Sequence, residues 1–171
     1  SGFDAALMTG SYASVRDRAP WMLDAEAWLR GLVSREVPFL GVCFGHQLLG
    51  SALGGRVVHN PRGLELGTVA VQLTEEGRRD PLFASFGPSL VVHETHEDMV
   101  TDLPAHVRVL ATNDWTPVQA LAAGRCAWGV QFHPEFTRDS LAEAAALAGR
   151  EATVGEAPAA RALLRAFVGR L

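Results

Sequence analysis

The sequence predicts an α/β domain with a mainly parallel central sheet flanked by helices and a small antiparallel extension. Three observations carry that expectation. Strand and helix patterns alternate through the first part of the chain, a block of short strand-like runs fills the middle, and helical periodicity returns at the end.

The apolar run Phe3–Met8 ends in Thr9-Gly10-Ser11, the pattern of a buried strand entering a turn. Within Pro20–Glu36, Trp21, Ala25, Trp28, Leu29, Leu32 and Val33 recur at helical spacing, which predicts an amphipathic helix with both tryptophans in the core. Pro38 stops that helix, and Phe39–Val42 is a second short buried strand. Gly45–Leu53 is helical again and is closed by Gly54-Gly55. From Arg56 to Val130 the runs Gly67–Leu73, Leu90–His93, Val107–Ala111, Val118–Ala122 and Ala127–Phe132 are strand-like, with Gly, Pro, Asn or Asp between them. Thr137–Arg150 and Pro158–Leu171 return to helix, the second with Leu163, Leu164, Phe167 and Val168 on one face. Residues 1–150 read as the main unit, and 151–171 as a linker plus a carboxy-terminal helix that packs on or extends it.

A length of 171 residues suits one ordinary domain, and 48% hydrophobic with 20% charged residues is a globular profile. Fifteen basic against nineteen acidic residues give a net charge of −4, so nothing electrostatic points to nucleic acid or an anionic membrane as partner. No apolar run is long enough to cross a bilayer. Two cysteines, Cys43 and Cys126, do not make a disulfide framework; a cytoplasmic protein with at most one reactive thiol is expected.

The sharpest local signal is Gly41-Val42-Cys43-Phe44-Gly45 between a buried strand and a helix. A Gly-x-nucleophile-x-Gly turn in that setting is a nucleophile elbow: the glycines permit a tight, strained turn that projects the nucleophile at the carboxyl end of the sheet. The helix amino terminus favours the thiolate of Cys43. A buried structural cysteine beside packing glycines would show the same five residues. The tie is broken by Gly129-Val130-Gln131-Phe132-His133-Pro134-Glu135, which supplies a base and an orienting acceptor after another strand. Cys43, His133 and Glu135 are therefore the candidate nucleophile, base and orienting carboxylate.

Gly-Val-Cys-Phe-Gly-His-Gln at 41–47 together with Gly-Val-Gln-Phe-His-Pro-Glu at 129–135 resembles the class I (triad) glutamine amidotransferases, and in texture the stand-alone proteins similar to the glutaminase domain of GMP synthetase. Phe3–Ser11 is similar to that family's strand and glycine turn, and His96-Glu97-Asp98-Met99-Val100 is a fourth match. The resemblance implies a flavodoxin-like fold, with 1–150 as the catalytic domain. It implies that Cys43 attacks the side-chain amide of glutamine, forming a γ-glutamyl thioester and releasing ammonia without a cofactor. By the same resemblance the backbone N–H of Phe44 and the turn at Gly10 meet the oxyanion, Gln47 contacts the substrate amino acid, and the loop around Thr95 and Glu97 holds its α-amino or carboxylate end. The implied partners are glutamine or a γ-glutamyl small molecule, and a separate ammonia-accepting synthetase subunit where the activity is coupled. A γ-glutamyl peptidase using the same triad is the rival reading, and a binding or regulatory module with an idle site is the third.

Two departures stand out. The glycine turn reads Gly10-Ser11-Tyr12 where the family usually has Gly-Gly-Pro. The family also normally has a strand–helix–strand unit before the segment matched by Phe3–Ser11, so roughly 40–50 further residues before Ser1 are expected, the size of a βαβ unit with its turns. His93 and His96 have metal-like spacing but fall on a predicted strand and loop, so a structural role and no metal is expected. Cys126, in a turn before a strand, reads as an inert half-buried thiol.

Overall fold

A computed structural model describes residues 2–171. Its main sheet has seven strands in the order β1-β2-β9-β8-β7-β4-β5: β1 (Ala6–Met8), β2 (Phe39–Val42), β9 (Ala127–Val130), β8 (Ala120–Ala123), β7 (Val107–Thr112), β4 (Glu65–Leu73) and β5 (Ser89–His96). The pairs β1–β2 and β2–β9 are parallel, and each pair beyond β9 is antiparallel. Following the pairings, all but β4 and β8 run in one direction. The expected parallel sheet is thus present, and the strands from the middle of the chain extend it in antiparallel fashion. A separate two-stranded antiparallel sheet pairs β3 (Arg56–His59) with β6 (Asp98–Thr101).

Phe39–Val42 and Ala127–Val130 are buried at every position, as strands covered on both faces must be. On one face lie α1 (Pro20–Ser34) and α2 (Phe44–Ala52), joined with Phe39, Val107, Leu121 and Ala127 in one apolar cluster. On the other, Ala160, Leu163 and Phe167 of α5 (Pro158–Val168) pack with Leu90, Val92, Leu110, Trp128 and Val130. Each such leucine or phenylalanine contributes about 1.5–3 kcal/mol relative to exposure. Residues 151–171 are therefore built into the sheet's own core; before α5, Thr153 accepts from the Thr68 amide and the Gly155 amide donates to the Thr68 hydroxyl. Two short helices complete the chain, α3 (Glu75–Arg79) and α4 (Arg138–Leu147).

The helix expected over Pro20–Glu36 forms, opened by Pro20 at its first turn. Its buried face is not the expected one. Met22, Glu26, Leu29 and Leu32 point inward, whereas Trp21 and Trp28 are 51% and 41% exposed. Glu26 lies on that inward face, buried and held by Arg18 and Ser51. Those rings find aromatic neighbours at the surface, Trp21 against Phe44 and Trp28 against Phe3. Beside them β1 is an edge strand paired with β2 alone among the described residues.

Candidate active site

The site forms where β2 and β9 end side by side. Gly41 pairs with Gly129 and Val42 with Val130, and the Cys43 amide then donates to the Val130 carbonyl at 2.9 Å. Adjacent parallel strands deliver Cys43 and His133 to the same end of the sheet. Between β2 and α2 the chain turns at Cys43 itself, whose backbone sits at φ 50°, ψ −102°. A non-glycine residue held there costs of the order of 1–3 kcal/mol, strain that marks functional turns.

The turn is possible because of its glycines. A Cβ on Gly41 would lie 2.5 Å from the backbone of Gly45, and one on Gly45 would lie 2.4 Å from the Met8 carbonyl oxygen. The elbow thus folds back on itself and presses against β1. At the amino terminus of α2 the first intrahelical bond runs from the Gln47 amide to the Cys43 carbonyl, which leaves the amides before it without helical acceptors.

His133 is 6% exposed, and its amide donates to the His93 carbonyl of β5 at 2.8 Å. Its Nδ1 lies 2.8 Å from Oε1 of Glu135, and Phe136 stacks on its ring with centroids 4.3 Å apart. Nε2 is buried and has no hydrogen-bond partner among the described residues. Burial works against a charged ring here, but the Cys43 thiol and the Glu135 carboxylate outweigh it and raise the pKa to about 10. Gly10 closes the third side: a Cβ placed on it would meet His133 Cε1 at 3.0 Å and Cys43 Cβ at 3.6 Å. The ring and the thiol therefore share one small space.

Cys43, His133, Glu135, Gly10 and Phe44 come together. The other anticipated residues sit differently. Gln47 is buried, with Nε2 donating to the Asp98 carbonyl at 2.9 Å and to Gln131 Oε1 at 3.2 Å. Thr95 lies within β5 opposite Leu66, and Glu97 is the single exposed residue between β5 and β6, its carbonyl accepting from the Asn60 amide. Neither side chain hydrogen-bonds the cysteine or histidine among the described residues. Sequence reasoning missed Phe136, though it directly follows the His-Pro-Glu run, and while it read Leu90–His93 as a strand it did not place that strand against the His133 backbone.

Beneath this site is a second polar cluster. His96 Nε2 lies 3.0 Å from Glu65 and 3.3 Å from Glu94, while its Nδ1 is 2.8 Å from the Asp98 carbonyl. Glu65 also accepts from Asn113, Thr116 and Gln119. Burial opposes the charge on His96, but the two carboxylates prevail and raise its pKa to about 10. Burial likewise pushes Glu94 up to about 7. Among the described residues these three are the group whose donor atoms lie close enough, within 4.8 Å, to hold a metal. The hydrogen bonds already made by Glu65 and both nitrogens of His96 describe an internal ion-pair cluster. His93, by contrast, faces away from it and pairs with Thr68.

Comparison with known proteins gives consistent relatives. The family described as glutamine amidotransferase class-I matches residues 1–145. A subunit of the glutamine-hydrolyzing GMP synthase of Saccharolobus solfataricus is 36% identical over 134 residues, 78% of this chain and 68% of that protein. Gamma-glutamyl peptidase 5 of Arabidopsis thaliana is 30% identical over 143 residues, 82% of this chain and 57% of that one. Among solved structures, a glutamine amidotransferase from Thermotoga maritima superposes with a TM-score of 0.77 at 23% identity, over 96% of this chain and 76% of that chain. The chain spans between about half and two thirds of the length of these curated relatives.

Proposed function

The chain belongs to the class I glutamine amidotransferase family, and from that premise we propose that it is a cysteine amidohydrolase that cleaves the side-chain amide of glutamine through a γ-glutamyl thioester. The observation that carries the proposal is the strained Cys43 elbow set against a histidine whose far nitrogen is held by a carboxylate at 2.8 Å. The Cys43 thiol gives its proton to His133 and its sulfur attacks the γ-carbonyl carbon. The unshared amides at the start of α2, that of Phe44 first, and the turn at Gly10 are placed to receive the resulting oxyanion. His133 returns the proton to the departing nitrogen, ammonia leaves, and the ring then takes a proton from the water that hydrolyses the thioester to glutamate. Glu135 keeps the ring oriented and supports its charged form. No cofactor is needed for any of these steps.

As a relative of a glutamine-hydrolyzing GMP synthase subunit, such a protein has a natural partner in a separate ammonia-consuming synthetase chain. The γ-glutamyl peptidase reading uses the same chemistry with an amine other than ammonia as leaving group, and one cavity beside His133 favours it. The direct test is covalent labelling. A diazo-ketone analogue of glutamine should alkylate Cys43 and spare Cys126, whose pKa burial raises. Peptide mapping that finds the label on Cys126, or on neither cysteine while the protein is folded, would sink the proposal.

A further inference from the structure

The ring of Phe136 that covers His133 also lines a cavity of about 220 Å³, together with His93, Arg138, Glu156, Arg161 and Arg165. Two ties bind this cavity to the candidate base: the Phe136–His133 stack and the bond from the His133 amide to the His93 carbonyl. His93 is 2% exposed, and Thr68 holds its Nδ1 at 3.1 Å. Burial lowers its pKa, so it forms a neutral wall. Against it stand three guanidinium groups and one carboxylate, a local excess of positive charge on a chain whose net charge is −4.

The placement of two of those arginines runs against helix electrostatics. Arg138 is the first residue of α4, and Arg161 stands in the first turns of α5, so both put a cation near the positive end of a helix. Arg161 and Arg165 are four residues apart on α5, an arrangement in which like charges repel. The first turn of α5 has no acidic residue and its amino terminus has no side-chain cap. Arg138 has only the exposed Asp139 at 3.5 Å, and among the described residues neither Arg161 nor Arg165 forms an ion pair. Arg138 and Arg161 are each unfavourably placed, as is the Arg161–Arg165 pair, whereas Arg165 in the last turn of α5 suits the dipole; an anion in the cavity would offset the unfavourable placements. Local rules broken together at one place mark a site.

We infer that this cavity is the leaving-group subsite of the Cys43 centre and that it takes a carboxylate, so that the preferred substrate is a γ-glutamyl amide whose amine half is an amino acid or short peptide. The inference rests on the function proposed above and names its substrate class. The bonds balance as before: the γ-carbon to nitrogen bond breaks, His133 protonates the nitrogen, and the amino acid leaves where ammonia would. An amino acid carries its carboxyl carbon only about 2.5 Å from that nitrogen, so on this inference its charge lies on the side of His133 that Phe136 covers. The cavity's size suits one such group better than a segment of a partner protein.

The test compares kcat/KM for γ-glutamylglycine, for neutral γ-glutamyl methylamide and for glutamine, in wild type and in R161Q/R165Q and R161E/R165E. Wild type should favour γ-glutamylglycine over the methylamide by about tenfold or more, the scale of a charge-assisted contact. That ratio should collapse in R161Q/R165Q and shrink with salt. R161E/R165E should instead favour γ-glutamyl ethylenediamine, whose leaving group is cationic, a reversal that no merely structural role produces. Glutamate suits position 161 near the amino terminus of α5, while Arg165 lies in its last turn, so circular dichroism would check that both variants fold. An unchanged substrate ratio in both variants, with glutamine still hydrolysed, overturns the subsite and leaves the proposed function standing. An unchanged ratio accompanied by loss of binding to an acidic partner would overturn it in favour of a docking role. If no γ-glutamyl compound is turned over and Cys43 resists the diazo-ketone, both fall together.

Discussion

Two histidine–glutamate pairs lie close together in this molecule, and they differ in almost everything except their bond. His133 meets Glu135 at 2.8 Å and His96 meets Glu65 at 3.0 Å, and in both the imidazole is raised to about 10. His96 has both nitrogens engaged and carboxylates on two sides, deep in the interior. His133 has one nitrogen held and one without a partner, next to a cysteine in a strained turn, with Glu135 at the surface. A displaced pKa is common to a structural cluster and a reactive one. What separates them is whether a nitrogen is left over for chemistry.

The contrast predicts where damage falls. Cys43→Ala should reduce ammonia release from glutamine to background, and His133→Ala should come close, a loss of about 10⁶ in kcat when a member of a nucleophile–base unit is removed. Glu135→Gln should cost less, about 10²–10⁴, because the carboxylate orients and supports the ring without touching substrate. Cys43→Ala should leave the urea midpoint nearly unchanged; a large stability loss there would mean that the site is structural after all.

Breaking the other pair should do the opposite. His96→Ala leaves Glu65 and Glu94 buried without their cation, at about 3–5 kcal/mol. Glu135→Ala should cost less than about 1 kcal/mol, since its carboxylate is 40% exposed and screened. Urea titrations of the two variants side by side would measure that difference, and equal losses would erase the distinction.

The smallest effect is in pH. For both histidines the folded pKa lies above the unfolded value of 6.5, so their contribution to stability is complete below that pH and is lost as pH rises through about 10. Glu94, raised from 4.5 to about 7, has its own window below that range. Stability should therefore decline between about pH 7 and 10, and Glu135→Gln should remove only the share of His133's part that Glu135 supplies. A flat profile over that range would mean that neither imidazole is charged.

The two pairs were not equally legible in the sequence. The candidate catalytic one is written locally: five residues spell the elbow, and Glu135 is two positions from His133. The interior cluster draws on positions 65, 94, 96, 113, 116 and 119, spread over three segments that only the folded sheet assembles. Nothing in Glu65 or Glu94 distinguishes a buried carboxylate from the solvated kind until burial is known. The main strands were visible because they are short, apolar and bounded by turn residues. The small β3–β6 sheet was not, since β6 follows β5 after Glu97 alone and no turn signal separates them. The tryptophans of α1 misled for a related reason: helical period locates a stripe, and the buried one runs through Met22, Glu26, Leu29 and Leu32.

The crowding around Gly41 and Gly45 reaches beyond this one molecule. Every other amino acid brings a Cβ, and at these positions that atom would fall 2.4–2.5 Å from main-chain atoms that cannot swing aside. No missense change in either codon is therefore silent, whatever its chemistry. The nucleophile between them is under no such ban, since Cys→Ser keeps the shape. Random mutagenesis of this gene should accordingly return survivors with altered reactivity at Cys43 before it returns any with an altered frame around it.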